Sequence, residues 1–157
     1  MIYRLVLAVA VMTALVGATA PALSTARADA ANGTMERQVD ALRTELTRLV
    51  EADAATANGD AQRVVTIRIP GQTYTSAGVG RLQFAARAGV GVATWTVESR
   101  KQTERLVGIP IRTTASTDRL DEPGTHRLAF VLTRSDGQRM LRVHRFKSEA
   151  GARESHA

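Results

Sequence analysis

Hydrophobic and polar residues are distributed along this chain in three regimes. Residues 5–26 form an uncharged run of 22 positions, bounded by Arg4 and Arg27. As a helix at 1.5 Å per residue it would measure about 33 Å, enough to cross a bilayer. Residues 35–52 change to helical spacing, with Met35, Val39, Leu42, Leu46 and Leu49 on one stripe and Arg37, Asp40, Arg43, Glu45, Arg48 and Glu51 off it. From residue 61 onward the period shortens to two, as in "RVVTIRIP", where Val65, Ile67 and Ile69 alternate with Thr66 and Arg68.

These patterns predict an α+β fold. An N-terminal hydrophobic helix comes first, then an amphipathic helix packed on an antiparallel sheet of about six strands. Asn32-Gly33 is expected to interrupt the helical region, with Thr34 as the cap of a new helix. The expected organisation is a membrane anchor or signal segment over 1–30, an amphipathic helix and linker over 31–60, a β domain over 61–147, and a flexible tail over 148–157. Further strands are read in "GRLQFAA", "VGVATWTVES" and "ERLVGIPIRT". In the last of these, Pro110 removes a backbone donor and points to an edge or a bulge. The stretch "HRLAFVLTRSDGQRMLRVHRF" predicts a hairpin turning at Asp136-Gly137. With a two-residue loop, Phe130 faces Val143 and Leu132 faces Leu141, so Leu128, Phe130, Leu132, Leu141 and Val143 share an apolar face.

The opening segment has two readings. The strongest apolar part covers residues 5–17 and is followed by Ala28-Asp29-Ala30, which fits a signal peptidase site and would leave a product starting at Ala31. Against cutting, the uncharged run continues to residue 26, and Pro21 is compatible with a kinked spanning helix. Kept, the segment makes a single-pass protein with an exported C-terminal domain; removed, a secreted one. Membrane lipid is the partner expected for residues 5–26.

Two surfaces are candidates for contact. The stripe Val39, Leu42, Leu46 and Leu49 lasts only about two heptads, so it serves either a partner helix or the protein's own sheet. The side of the hairpin opposite its apolar face holds Val131, Met140, Arg142 and His144, a mixed surface suited to solvent or a ligand.

Composition narrows the chemistry. The chain has no cysteine, which excludes disulfides, thiolate metal sites and a cysteine nucleophile. Its formal charge of +6 is uneven: residues 31–60 carry −3 and residues 61–147 carry +9. Of the basic residues only Lys101 and Lys147 are lysines, and no basic run interleaves with aromatics, which argues against nucleic acid. His126, His144 and His156 do not converge in any register. Gly78-Val79-Gly80 and Gly89-Val90-Gly91 lack the third glycine and following helix of a phosphate cradle, and read as turns or strand bends. Asp118, Asp121 and Glu122 lack calcium-loop spacing. No nucleophile elbow, P-loop or zinc-protease motif is present, so no catalytic, cofactor or metal residue is expected.

The hydrophobic N-terminal helix, "RVVTIRIPG" and "LDEPGTHRLAFVLTR" together resemble an uncharacterised haloarchaeal family of small membrane-anchored proteins. That resemblance implies a pilin-like or secretion-associated setting, with protein partners in a pilus-like or type II/IV secretion-like assembly. Two features depart from a pilin: the Asn32-Gly33 interruption and the lack of a basic-glycine cleavage signal before the hydrophobic run. A cleaved binding module for an anionic ligand is the alternative expectation.

Overall fold

The computed structural model describes residues 2–52, 61–114, 117 and 120–146, and only the backbone of residue 2 and residues 15–21. One helix, α1 (Ile2–Ala52), is followed by strands β1 (Ala61–Ile69), β2 (Val79–Arg87), β3 (Val90–Val97), β4 (Arg100–Val107), β5 (Ile111–Thr113), β6 (Gly124–Ser135) and β7 (Gln138–Arg145). The α+β expectation holds, but the helices and the sheet are arranged differently.

The expected break at Asn32-Gly33 is absent, and the boundary drawn at residue 30 falls inside α1. Local propensity disfavours helix there, and tertiary contacts override it. The Asn32 Oδ1 accepts a hydrogen bond from the indole Nε1 of buried Trp95 at 3.2 Å. Thr34 is no cap: its hydroxyl donates back to the Ala30 carbonyl at 2.9 Å, as a threonine inside a helix does.

The strands form two sheets rather than one. Sheet order is β1-β6-β7-β5 in the first and β2-β3-β4 in the second. The single strand expected around Pro110 is two strands in different sheets, β4 and β5. Pro110 cannot donate to a ladder, and the chain changes sheets there, with the Pro110 carbonyl accepting from Leu141 N–H at 2.9 Å. β5 then runs parallel to β7, against the all-antiparallel expectation. The β6–β7 hairpin has the predicted register, with Phe130 opposite Val143 and Leu132 opposite Leu141. Positive φ at both Asp136 and Gly137 marks the tight turn whose twist suits such a hairpin.

The two sheets face each other across a core in which Phe84 of β2 and Phe130 of β6 meet edge to face, with ring centroids 5.8 Å apart. On one side the sheets are joined: β2 lies against β5, Gly91 of β3 leaves room for the Ile111 side chain, and Leu82 and Leu120 exchange backbone hydrogen bonds. On the other side the edge strands β1 and β4 separate, and α1 fills the opening between them.

Candidate functional site

α1 has two halves with opposite surroundings. From residue 28 its inward stripe is Ala28, Ala31, Met35, Val39, Leu42, Leu46 and Leu49, none more than 3% exposed. Spacings of three and four put these positions on one side, and that side seals the gap between the sheets. Val39, Leu42, Leu46 and Leu49 therefore belong to the protein's own core and are not open to a partner helix. Their off-stripe neighbours hold the sheet edges. The Gln38 amide accepts from Arg68 N–H and donates to the Arg68 carbonyl, both at 2.7 Å, completing β1 as another strand would. The Arg43 guanidinium donates to the Arg105 carbonyl of β4 at 2.7 Å and pairs with Asp40 and Glu104 at 2.7 and 3.0 Å. Arg139 of β7 donates to the Val50 carbonyl at the far end of the helix.

Before residue 27 the described apolar side chains of the same helix are turned to solvent. Tyr3, Leu5, Val6, Leu7, Val9, Val11, Met12 and Leu23 are all at least half exposed, so apolar side chains point outward on every side of the helix. A surface helix of a globular protein would show one apolar stripe; this half has the all-round apolar character of a helix that is buried elsewhere. Among the described residues, no helix is long and apolar enough to cross a membrane. Those residues do not support a single-pass span, and the side chains of residues 15–21, in the middle of the expected anchor, lie outside them. At the transition between the halves, Ala77 N–H donates to the Arg27 carbonyl at 3.1 Å.

The second candidate surface is the side of the four-stranded sheet turned away from the core. Val131 pairs with Arg142, Ala129 with His144 and Thr133 with Met140, so the expected residues do share a face. Arg142 is exposed and Val131 and His144 are half-buried, whereas Met140 is buried. The structure adds Arg112 of β5, directly beside Arg142, together with Arg68 of β1 and Arg127 of β6. None of the strand positions on that side is a carboxylate. The sequence patterns of β1 and β6 contain these arginines, but only the strand order brings them together.

Of the remaining candidates, His126 is tied into the domain by both ring nitrogens. His126 is 4% exposed, facing the core. Its Nε2 lies 2.8 Å from the Glu122 carbonyl, which fixes that nitrogen as the donor, and its Nδ1 accepts from Arg145 at 3.0 Å. Both ring nitrogens are occupied in holding the loop before β6 against β7. His144 is on the opposite face, and His156 and Lys147 lie outside the described residues, as do Asp118 and the tail. Asp121 and Glu122 gather no third acid or histidine; among the described residues no group of three such side chains is placed to hold a metal. Gly89, with Ala88, forms the β2–β3 turn at positive φ, and Gly78 closely approaches Gln72 backbone, in keeping with turns rather than phosphate cradles.

No curated protein and no solved structure matches the chain. One family model does, over residues 2–146, a stretch that includes both halves of α1 and all seven strands. The chain therefore belongs to the family described as Domain of unknown function (DUF7311).

Proposed function

We propose that the protein is a membrane-anchored, exported, non-enzymatic domain that serves as an accessory component of a pilus-like or type II/IV secretion-like cell-surface assembly, in the archaeal setting its sequence resembles. One observation carries this reading. A single 51-residue helix is sunk into the domain by its second half and presents apolar side chains outward on its first half. Apolar surface of that extent is stable only when another apolar phase covers it, either bilayer or neighbouring helices in an assembly. The Asn32-Gly33 interruption, which separated the sequence from a pilin-like plan, is absent, and one continuous helix runs from the exposed half into the domain. The absence of enzymatic activity rests on the sequence alone.

The test is the mass of the N-terminal peptide in separated membrane and soluble fractions of producing cells, followed by affinity capture from detergent extract. An intact start in the membrane fraction, with other membrane components captured alongside, is the expected result. A soluble product beginning at Ala31 would overturn the anchor, and capture of bare monomer would overturn the assembly role.

A second reading, a secreted module binding an anionic ligand, has its own support. Arg68, Arg112, Arg127 and Arg142 share a face without carboxylates, suited to phosphate or carboxylate groups. Its signature is polyanion binding that weakens steeply with salt and is lost in Arg112→Ala/Arg142→Ala.

A further inference from the structure

The loop between β1 and β2 carries an aromatic side chain that nothing in the domain uses. Thr73 and Ser76 close the loop on itself: Thr73 N–H donates to the Ser76 carbonyl at 2.8 Å, and Ser76 N–H to the Thr73 hydroxyl at 3.1 Å. Tyr74 sits at the tip of this turn and is 92% exposed. A tyrosine so exposed is a poor choice for solvent and a good one for a water–lipid boundary, where the ring meets apolar groups and the hydroxyl stays wet.

The position of the loop is set by the helix. Ala77, three residues after Tyr74, donates to the carbonyl of Arg27, the first charged residue after the run 5–26. Tyr74 is thus held within about 11 Å of chain from the point where α1 leaves the domain. No linker intervenes, because residues 26, 27 and 28 are consecutive positions of one helix. Once the run 5–26 enters an apolar phase, Arg27 marks its surface and the loop is carried to the same depth. Phe146, at 40% exposure, leaves β7 toward the same end and has the Arg127 guanidinium 4.8 Å above its ring. Tyr74 and Phe146 are the two exposed aromatic side chains of the described domain outside α1, and both are at its helix-exit end.

We infer that the helix-exit end of the domain is a lipid-contacting seat, in which Tyr74 inserts at the headgroup level of the bilayer that holds α1 and fixes the domain against the membrane surface. This rests on the anchored reading above. This end is also basic, with Arg27, Arg68, Arg81, Arg100, Lys101, Arg127 and Arg145 against Asp29, Glu98, Asp121 and Glu122, so vesicles without net charge isolate the aromatic contact from attraction to anionic lipid.

The experiment uses the full chain in phosphatidylcholine vesicles whose acyl chains carry bromine near the headgroup, a short-range quencher of tryptophan. Tyr74→Trp reports the seat and Val9→Trp reports the helix. Trp95, at 1% exposure in the core, supplies a constant background measured in the unsubstituted chain. Both introduced positions are exposed, so neither substitution removes packing. The expected result is quenching of both introduced tryptophans, with blue-shifted emission at position 74. Quenching at position 9 with water-like, unquenched emission at position 74 would overturn the seat and leave the anchor standing. Quenching at position 74 alone would uphold the lipid contact and overturn the anchor, and quenching at neither would overturn both.

Discussion

Asn32 and Gly33 look alike to a reader of the sequence, as a pair that stops helices, yet they do unrelated things in the folded protein. The Asn32 amide oxygen is the acceptor for the indole N–H of Trp95, the largest buried side chain. Asn32→Leu would keep the size and improve the helix while leaving that N–H without a partner, so a loss of about 1–3 kcal/mol is expected in urea unfolding. Gly33 has no such task. A Cβ there would meet only the end of Arg37, at 3.6 Å, an ordinary contact. Gly33→Ala should therefore raise the same unfolding free energy by about 0.5–1 kcal/mol, the usual gain from removing a helix-interior glycine. Opposite signs at adjacent positions would establish that the helix runs through this pair because of Trp95, in spite of glycine.

A helix wedged between two sheet edges must do more than bury a stripe, because edge strands carry unpaired backbone groups. Gln38 and Arg43 meet this need on opposite flanks of α1, one on β1 and one on β4. Gln38→Ala should release both of its bonds to Arg68. Hydrogen exchange of the Arg68 amide is expected to accelerate, at a stability cost of about 1–2 kcal/mol, while amides in β6 and β7 change only by the global amount. Neither role is legible in the sequence: Arg43 reads as one of the off-stripe positions and Gln38 draws no reading, since nothing local distinguishes a polar residue facing water from one facing a strand edge. The β6–β7 hairpin was fully legible, because its turn and its alternation both lie within one local stretch. β4 and β5 were merged because a change of sheet at Pro110 leaves no mark in the alternation itself.

The whole molecule makes the fate of the opening segment a question of stability as well as of location. A product beginning at Ala31 would lose Ala28 from the core and the Arg27 carbonyl that holds the β1–β2 loop. It would also place a new charged amino group at Ala31, which is fully buried. Such a product should unfold about 1–3 kcal/mol more easily than the full chain in matched detergent, as read by the denaturation midpoint. Equal midpoints would show that the domain is indifferent to its first thirty residues.

Hydrophobic periodicity was sufficient for the α+β class, the stripe from Met35 to Leu49, the strands other than the β4–β5 pair and the hairpin register, all of which depend on neighbours within a few residues. The number of sheets, the parallel pairing of β5 with β7, the unbroken passage of α1 through Asn32-Gly33 and the gathering of arginines on one face were decided only by the tertiary structure. Each of these depends on groups brought together from distant parts of the chain: a Trp95 indole beside a helix, a proline where two sheets meet, an Arg112 laid next to Arg142. Alternation tells a strand which side is apolar, and it takes the packed neighbour to tell it which sheet it joins.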